Sequence, residues 1–224
     1  MARTGRPRAK GPSASGLTTE EDVLAAAARL FCEVGYGSTS TYAIAREAGI
    51  SQASMYHYFA GKHEILLALL LRTVEPSVAF ASTLRASTEP ADARLWALCD
   101  YDVGLLLAGS DNTGSLYLLP ELGDERFAPF HDERGRLFEV YRDLVAEVLD
   151  ADSAAAGTSA RLGFGLVESV ILRRRTEPGL RAAEVGPTIA DAALRIVGVR
   201  EQRLRRVRAP AARVLGESPG TPAS

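Results

Sequence analysis

The sequence predicts an all-α fold, and three observations carry that expectation. Apolar residues recur at three- and four-residue spacing from Val23 to Val199, and no run alternates as a strand would. Glycine and proline fall between those runs, at Gly35, Gly49, Gly61, Pro90, Gly109, Pro120, Gly123 and Pro178. Two short helical stretches between Thr39 and Lys62 flank Gly49, the layout of a helix-turn-helix.

The elements follow in order. Residues 1–16 are rich in Gly, Pro, Ser and basic side chains and read as a disordered arm. Thr18 or Thr19, followed by Glu20, Glu21 and Asp22, starts a helix whose buried face is Val23, Ala27, Leu30, Phe31 and Val34. Gly35 ends it. A second helix runs from Thr41 to Ala48, capped by Thr39 or Ser40, and Gly49 supplies the turn. Ser51 caps a third, Gln52 to Phe59. A long apolar fourth helix extends from Lys62 to Leu84 with a bend near Pro76. Further helices are expected at Ala91–Ala108, Leu116–Leu119, Glu125 or Phe127 to Leu149, Ser159–Arg174 and Val185–Val199. The helix pattern divides the chain into a helix-turn-helix DNA-binding domain over 17–62 and a larger helical domain over 63–200, expected to hold the ligand-binding and dimerisation functions, with 63–84 as the connecting helix. Residues 201–224 read as a basic, then Pro/Ala/Gly-rich, tail.

Composition narrows the class. Of 224 residues 46% are hydrophobic and 24% charged, enough to fill a core and keep the surface polar. The longest apolar run, Ile65–Leu71, stops at Arg72, short of the roughly 18 residues of a membrane span. The basic N-terminus lacks the apolar stretch of a secretory signal, and Cys32 and Cys99 sit in apolar helical patterns, so a reducing cytoplasm is expected. Net charge is −2, but Arg3, Arg6, Arg8 and Lys10 precede the first helix without an acid among them. A local positive face suffices for DNA.

Within the helix-turn-helix, Ile44, Ala45, Ala48, Ile50 and Phe59 must face inward, because they alone can fasten the short helices to the first. Thr41, Tyr42, Gln52, Ser54, Met55, His57 and Tyr58 are left for the outer face. Gln pairs with adenine, Ser and Thr bond to base edges or phosphates, and Met or Tyr touches a thymine methyl. Thr39, Tyr56 and Lys62 suit phosphate contact, and the caps Ser40 and Ser51 complete the candidate DNA face. No Arg or Lys lies on the third helix, which argues against strong guanine readout. Gly5-Arg6-Pro7-Arg8 has the composition of a minor-groove hook.

The run Val23-Leu24…Ala27…Leu30-Phe31…Gly35-Tyr36…Thr39-Ser40…Ile44-Ala45…Ala48-Gly49-Ile50-Ser51…Tyr56…Tyr58-Phe59…Lys62…Ile65-Leu66 closely resembles the TetR family of bacterial regulators. The resemblance covers roughly residues 19 to 66; beyond it only length and helical pattern agree. It implies backbone contacts at Thr39, Tyr56 and Lys62, a homodimer and a small-molecule effector. Thr41 departs from the commoner aliphatic residue at its position and is expected to be half-buried.

The second half supplies a candidate input. Trp96, Cys99, Tyr101, Tyr117, Phe127, Phe130, Phe138, Tyr141 and Phe164 form an aromatic-rich interior, with Asp102, His131 and Glu168 as polar residues beside apolar runs. The expected ligand set is Trp96, Cys99, Asp102, Tyr117, Phe130, Phe138, Tyr141, Phe164 and Glu168. Two apolar stripes on 159–172 and another on 185–199 predict a dimer interface through Leu162, Leu166, Val170, Ile189, Ala193 and Ile196. A two-fold dimer implies a palindromic operator read at about 34 Å spacing. His57, His63 and His131 form no metal set, and no nucleophile elbow or phosphate loop is present, so neither enzyme activity nor a cofactor is expected. The expected function is a repressor released from double-stranded DNA by a small molecule, with no membrane partner. A transcriptional activator and a ligand-independent architectural protein are the alternatives.

Overall fold

The computed structural model describes residues 16–216, and ten α-helices occur among them with no strand. The predicted arm, including its Gly-Arg-Pro-Arg hook, lies outside the described residues apart from Gly16, as do 217–224 of the tail.

Helix α1 (Thr19–Glu33) begins with a reciprocal cap: Glu21 N donates to Thr18 Oγ1 at 3.2 Å, and Thr18 N donates to Glu21 Oε2 at 2.8 Å. Its buried face, Val23, Leu24, Ala27 and Phe31, packs against α2 (Thr41–Glu47) and α4 (Lys62–Arg72). Helix α3 (Gln52–Tyr56) is shorter than expected and ends at Tyr56, because Phe59 turns back into the core after Tyr58 instead of continuing the helix.

The expected single helix over 62–84 is two. Helix α4 stops at Arg72 and α5 runs Glu75–Leu84, with the break at Thr73–Val74. Pro76 is not the bend itself; it sits in the first turn of α5, where a missing N–H costs no helical bond. By length and composition alone, Lys62–Leu84 would pass for a membrane span, with a mean hydropathy of 1.6 in its most apolar 18-residue window. Here Ile65, Leu66, Leu70, Val74, Phe80 and Leu84 are buried in the core instead.

Helix α6 (Ala91–Leu107) is the centre of the larger layer, packed by α5, α7 (Ala128–Leu149), α8 (Ser153–Thr176) and α9 (Ala182–Ile196). Three short 3-10 turns, Thr113–Leu118, Pro120–Gly123 and Glu125–Phe127, bridge α6 to α7, and the first of them touches α1 and α4. Helix α8 starts six residues before the predicted Ser159: Asp152 Oδ1 accepts from Ala155 N at 2.7 Å, and the alanine-rich first turns bury Ala156 and Ala160. Small residues there gave no apolar periodicity to read.

The predicted tail is corrected over 201–216. These residues form helix α10 (Glu201–Gly216), which packs on α6 through buried Leu204, Val207, Ala211 and Val214. That 3–4–3 spacing is an apolar stripe among arginines, and the basic composition masked it. Arg203, Arg208 and Arg213 reach Asp92, Asp191 and Glu89 respectively, which ties α10 to α6, α9 and the loop before α6.

Candidate nucleic-acid interface and effector cleft

The turn between α2 and α3 is built by Gly49, whose φ of +68° an L residue adopts only with strain. Ile50 N then donates to Ala45 O at 2.9 Å, closing the turn. Gly49→Ala is expected to destabilise by about 1–2 kcal/mol and Gly49→Asn by less, since Asn tolerates left-handed backbone; urea melts of the two variants check the order.

Ser40 and Ser51 are the caps of α2 and α3, accepting from Ala43 N at 3.1 Å and Ser54 N at 3.0 Å. Ser54 pairs its hydroxyl with that of Ser51 at 2.8 Å. On the outward side, Tyr42, Tyr56 and Tyr58 are exposed by 63%, 46% and 42%, an unusual amount for large rings, and His57 is exposed beside them. Thr41, half-buried as expected, joins the two helices: Gln52 Nε2 donates to its hydroxyl at 3.0 Å, and Tyr56 Oη lies 3.2 Å from the same oxygen. Gln52 and Tyr56 are thereby oriented before any partner arrives, which lowers the ordering cost of recognition. Arg46, exposed in the last turn of α2 on the same short helix as Tyr42, adds a cation outside the residues expected from the sequence.

Three assignments change. Met55 is fully buried, not on the outer face. Thr39 is 4% exposed, and its hydroxyl donates to Gly35 O at 2.8 Å, which closes the loop after α1 instead of offering a phosphate donor. Lys62 turns inward too: Nζ donates to Tyr36 O at 2.6 Å and Thr39 O at 3.0 Å, and lies 4.3 Å from the Tyr36 ring centroid. Lys62→Met, which keeps the stem and removes the donors, should lower stability by about 1–2 kcal/mol. The slope of log affinity for DNA against log salt should stay unchanged; a slope reduced by about one would put the ammonium on a phosphate after all.

In the larger layer, a cleft of about 420 Å³ opens between α7, α8 and the 3-10 turns. Of the predicted ligand residues, Tyr117, Phe130 and Glu168 line it. A cavity of about 20 Å³ lies behind, lined by Asp102, Phe164, Thr73, Ser77 and again Tyr117 and Glu168. Trp96, Cys99, Phe138 and Tyr141 line neither. Trp96 faces α9 instead, where Nε1 donates to Asp191 at 2.7 Å; Cys99 is sealed in the core; Phe138 packs edge-on against Phe164. Aromatic content marked the right layer but could not separate core from wall. Arg134 was missed, although Phe130, Arg134, Leu137 and Tyr141 share one face of α7 at 4–3–4 spacing.

Electrostatics concentrate behind the cleft. Tyr141 Oη donates to Asp102 Oδ2 at 2.7 Å. Burial pushes Asp102 up to about 7, against the pull of the Ser77 and Tyr141 hydroxyls, with Glu168 adding repulsion. Burial likewise holds Tyr117 up at about 12 and Cys99 well above its usual range, so neither ionises near neutrality. A carboxyl raised in the folded state binds more protons than the unfolded chain between about 4 and 7, so its contribution to stability falls as pH rises through that window. Asp102→Asn should remove this part of the slope, read from melting midpoints at pH 5 and about 7.5.

A model described as bacterial regulatory proteins of the tetR family matches residues 23–69, which span α1 to α4. The crystal structure of Mycobacterium smegmatis AmtR is 42% identical, with a TM-score of 0.80 over 96% of this chain and 100% of that one. The HTH-type transcriptional regulator HbdR of Aromatoleum sp. (strain CIB) is 35% identical over 83 residues, 34% of this chain and 35% of that protein. AibR, solved in complex with isovaleryl coenzyme A and operator DNA, shares the fold at 18% identity and a TM-score of 0.63, over 78% of this chain and 97% of that one. The helix-turn-helix built on Gly49 and the end-to-end likeness to AmtR together place the chain: it belongs to the TetR family of bacterial transcriptional regulators.

Proposed function

We propose that the chain is a repressor that binds a palindromic operator as a homodimer and leaves it when a small molecule occupies the cleft. The observation that carries the reading is the bond between Tyr117 Oη, on the wall of the cleft, and Thr73 Oγ1 at 2.7 Å, in the break between α4 and α5. Helix α4 packs on α1 at its other side. A shift of Tyr117 thus bears on the joint between the cleft and the unit that holds α3.

The DNA face under this reading is Tyr42, Gln52, Tyr56, His57 and Tyr58, with Ser40, Ser51 and Ser54 at the helix caps and Thr41 orienting Gln52 and Tyr56. The dimer face is narrower than the sequence suggested. Val170, Ile189 and Ala193 are buried within one chain and cannot meet a partner; periodicity cannot say which stripe faces inward. Leu162, Leu172 and Ile196 stay exposed by 57%, 55% and 39%, with Leu166 half-buried beside them, and these support the partner contact. Residues 17–62 serve as the DNA-binding unit and 63–216 as the sensing unit, α10 included.

Operator selected from a random DNA pool, then challenged with candidate small molecules, tests the account. By linkage the operator must weaken effector binding by the same factor that the effector weakens operator binding, typically about 5–150-fold. Equal effector affinity for free and operator-bound protein would refute it.

A further inference from the structure

The cleft and the cavity behind it share three side chains, Tyr117, Arg134 and Glu168. Arg134 donates through Nε and Nη2 to the two Glu168 oxygens at 2.7 and 2.6 Å, and its guanidinium lies 5.0 Å from the Phe164 ring centroid. Its Nε and one Nη2 donor are thus held by Glu168. Behind it, the 20 Å³ cavity has room for one water-sized group. Asp102 lines this cavity, is 3% exposed, and leaves Oδ1 without a well-formed hydrogen bond, although the Ser77 hydroxyl is near enough to act on the carboxyl. A buried acceptor left open is costly in a folded chain, and a ligand donor would satisfy it.

Charge decides the kind of ligand. With Asp102 ionised, the cavity holds two carboxylates against the single guanidinium of Arg134, so one added cation brings it to neutrality. An anion would find the bidentate edge of Arg134 already held by Glu168 and would sit beside both acids. Size narrows the choice further: a primary ammonium is about as large as water and carries three donors, to meet Asp102 Oδ1 and hydroxyls of Ser77 and Tyr117 on the same wall. We propose that the cleft takes a primary amine, its ammonium head at Asp102 and its apolar body against Tyr117, Phe130 and Leu122. The proposal rests on the cleft being the effector site, and it names the chemistry of the effector.

Entry displaces the Arg134–Glu168 partition and reaches Tyr117, whose hydroxyl holds Thr73 at the α4–α5 break. The groups facing Asp102 are Tyr141 and Arg134 from α7, Glu168 from α8, Cys99 on α6 itself, Ser77 from α5 and Tyr117 from the 3-10 turn. Only Asp102 among them has its ordinary value displaced to about 7, so a bound cation holds it ionised and releases a proton near neutral pH.

The test uses the full chain and a panel of primary amines from n-butylamine to phenethylamine and phenylbutylamine, each beside the alcohol and the carboxylic acid of the same skeleton. Calorimetry should show at least one amine binding about tenfold or more tighter than its alcohol, with proton release seen as a buffer-dependent heat. Asp102→Asn, checked for an intact thermal transition, should lose the preference. Equal or tighter binding of alcohol or acid, no amine binding up to millimolar concentration, or a preference that survives Asp102→Asn overturns the proposal. If the variant does not fold, absence of proton release in the unaltered chain overturns it alone. Operator release separates the two readings. An amine that binds through Asp102 yet leaves operator bound refutes the effector role and upholds the ammonium site; release by a compound without an ammonium group, bound in the cleft, refutes the ammonium site and upholds the effector role.

Discussion

Met55→Ala is expected to abolish operator binding although the side chain lies on the wrong face to touch DNA. Helix α3 has five residues, too short to persist alone. Met55 is its single buried side chain and is fully enclosed by the small core that includes Ile44, Ala45 and Phe59. Truncating a buried Met to Ala costs about 2–5 kcal/mol, depending on how far the cavity collapses. The loss falls on the buried apolar anchor of the helix that carries Gln52 and Tyr56, so stability and DNA affinity should drop together. Met55→Leu, near the same volume, should restore most of both. Thermal melts and anisotropy titrations with selected operator measure the pair. A Met55→Ala protein with an unchanged melting midpoint and altered base preference would return Met55 to the DNA face.

The same residue shows what could be read from the chain and what could not. Glycine at 49, serines at 40 and 51 and acids after Thr18 act within a few residues of themselves, so the turn, both caps and the reciprocal cap of α1 were legible as local chemistry. Which way Met55 points depends on how a five-residue helix rolls against α2, and a helix that short has no periodicity to reveal it. Lys62 fails for a related reason: a flexible cation at a helix start suits a phosphate, and only the loop carbonyls of Tyr36 and Thr39, 26 and 23 residues earlier, show where it goes. The cleft was legible as a layer and not as a wall. Tyr117, Phe130 and Glu168 line it, whereas Trp96 and Cys99, just as apolar in context, fill the contacts of α6 with its neighbours. Asp102 was found because an acid within Tyr101–Leu107 is out of place in an apolar run; its orphan oxygen needed the fold.

Ending the chain after Arg200 is the second large effect, because α10 is part of the core. The truncation removes Leu204, Val207, Ala211 and Val214, which are 2%, 3%, 0% and 3% exposed, and uncovers the α6 face beneath them. Full burial of a Val or Leu side chain is worth about 1.5–3 kcal/mol, so the three larger ones set a gross loss of roughly 4–9 kcal/mol. A net loss of about 4 kcal/mol, the lower end of that range, is expected. For a chain of this length that lowers the melting midpoint by about 8–16 °C. The ion pairs contribute less. Arg208 and Arg213 are more than half exposed, where solvent screening leaves such pairs worth little, whereas Arg203 meets the buried Asp92. Replacing Arg208 and Arg213 by Gln should therefore shift the midpoint far less than replacing Leu204 and Val207 by Ser. Trp96 reports on the event: it is the only tryptophan, and its indole donates to the Asp191 that Arg208 also binds. Its emission should move to longer wavelength in the truncated chain as water reaches α6. A truncated protein that melts with the full chain and keeps the same emission would show that α10 rests on the surface without holding it together.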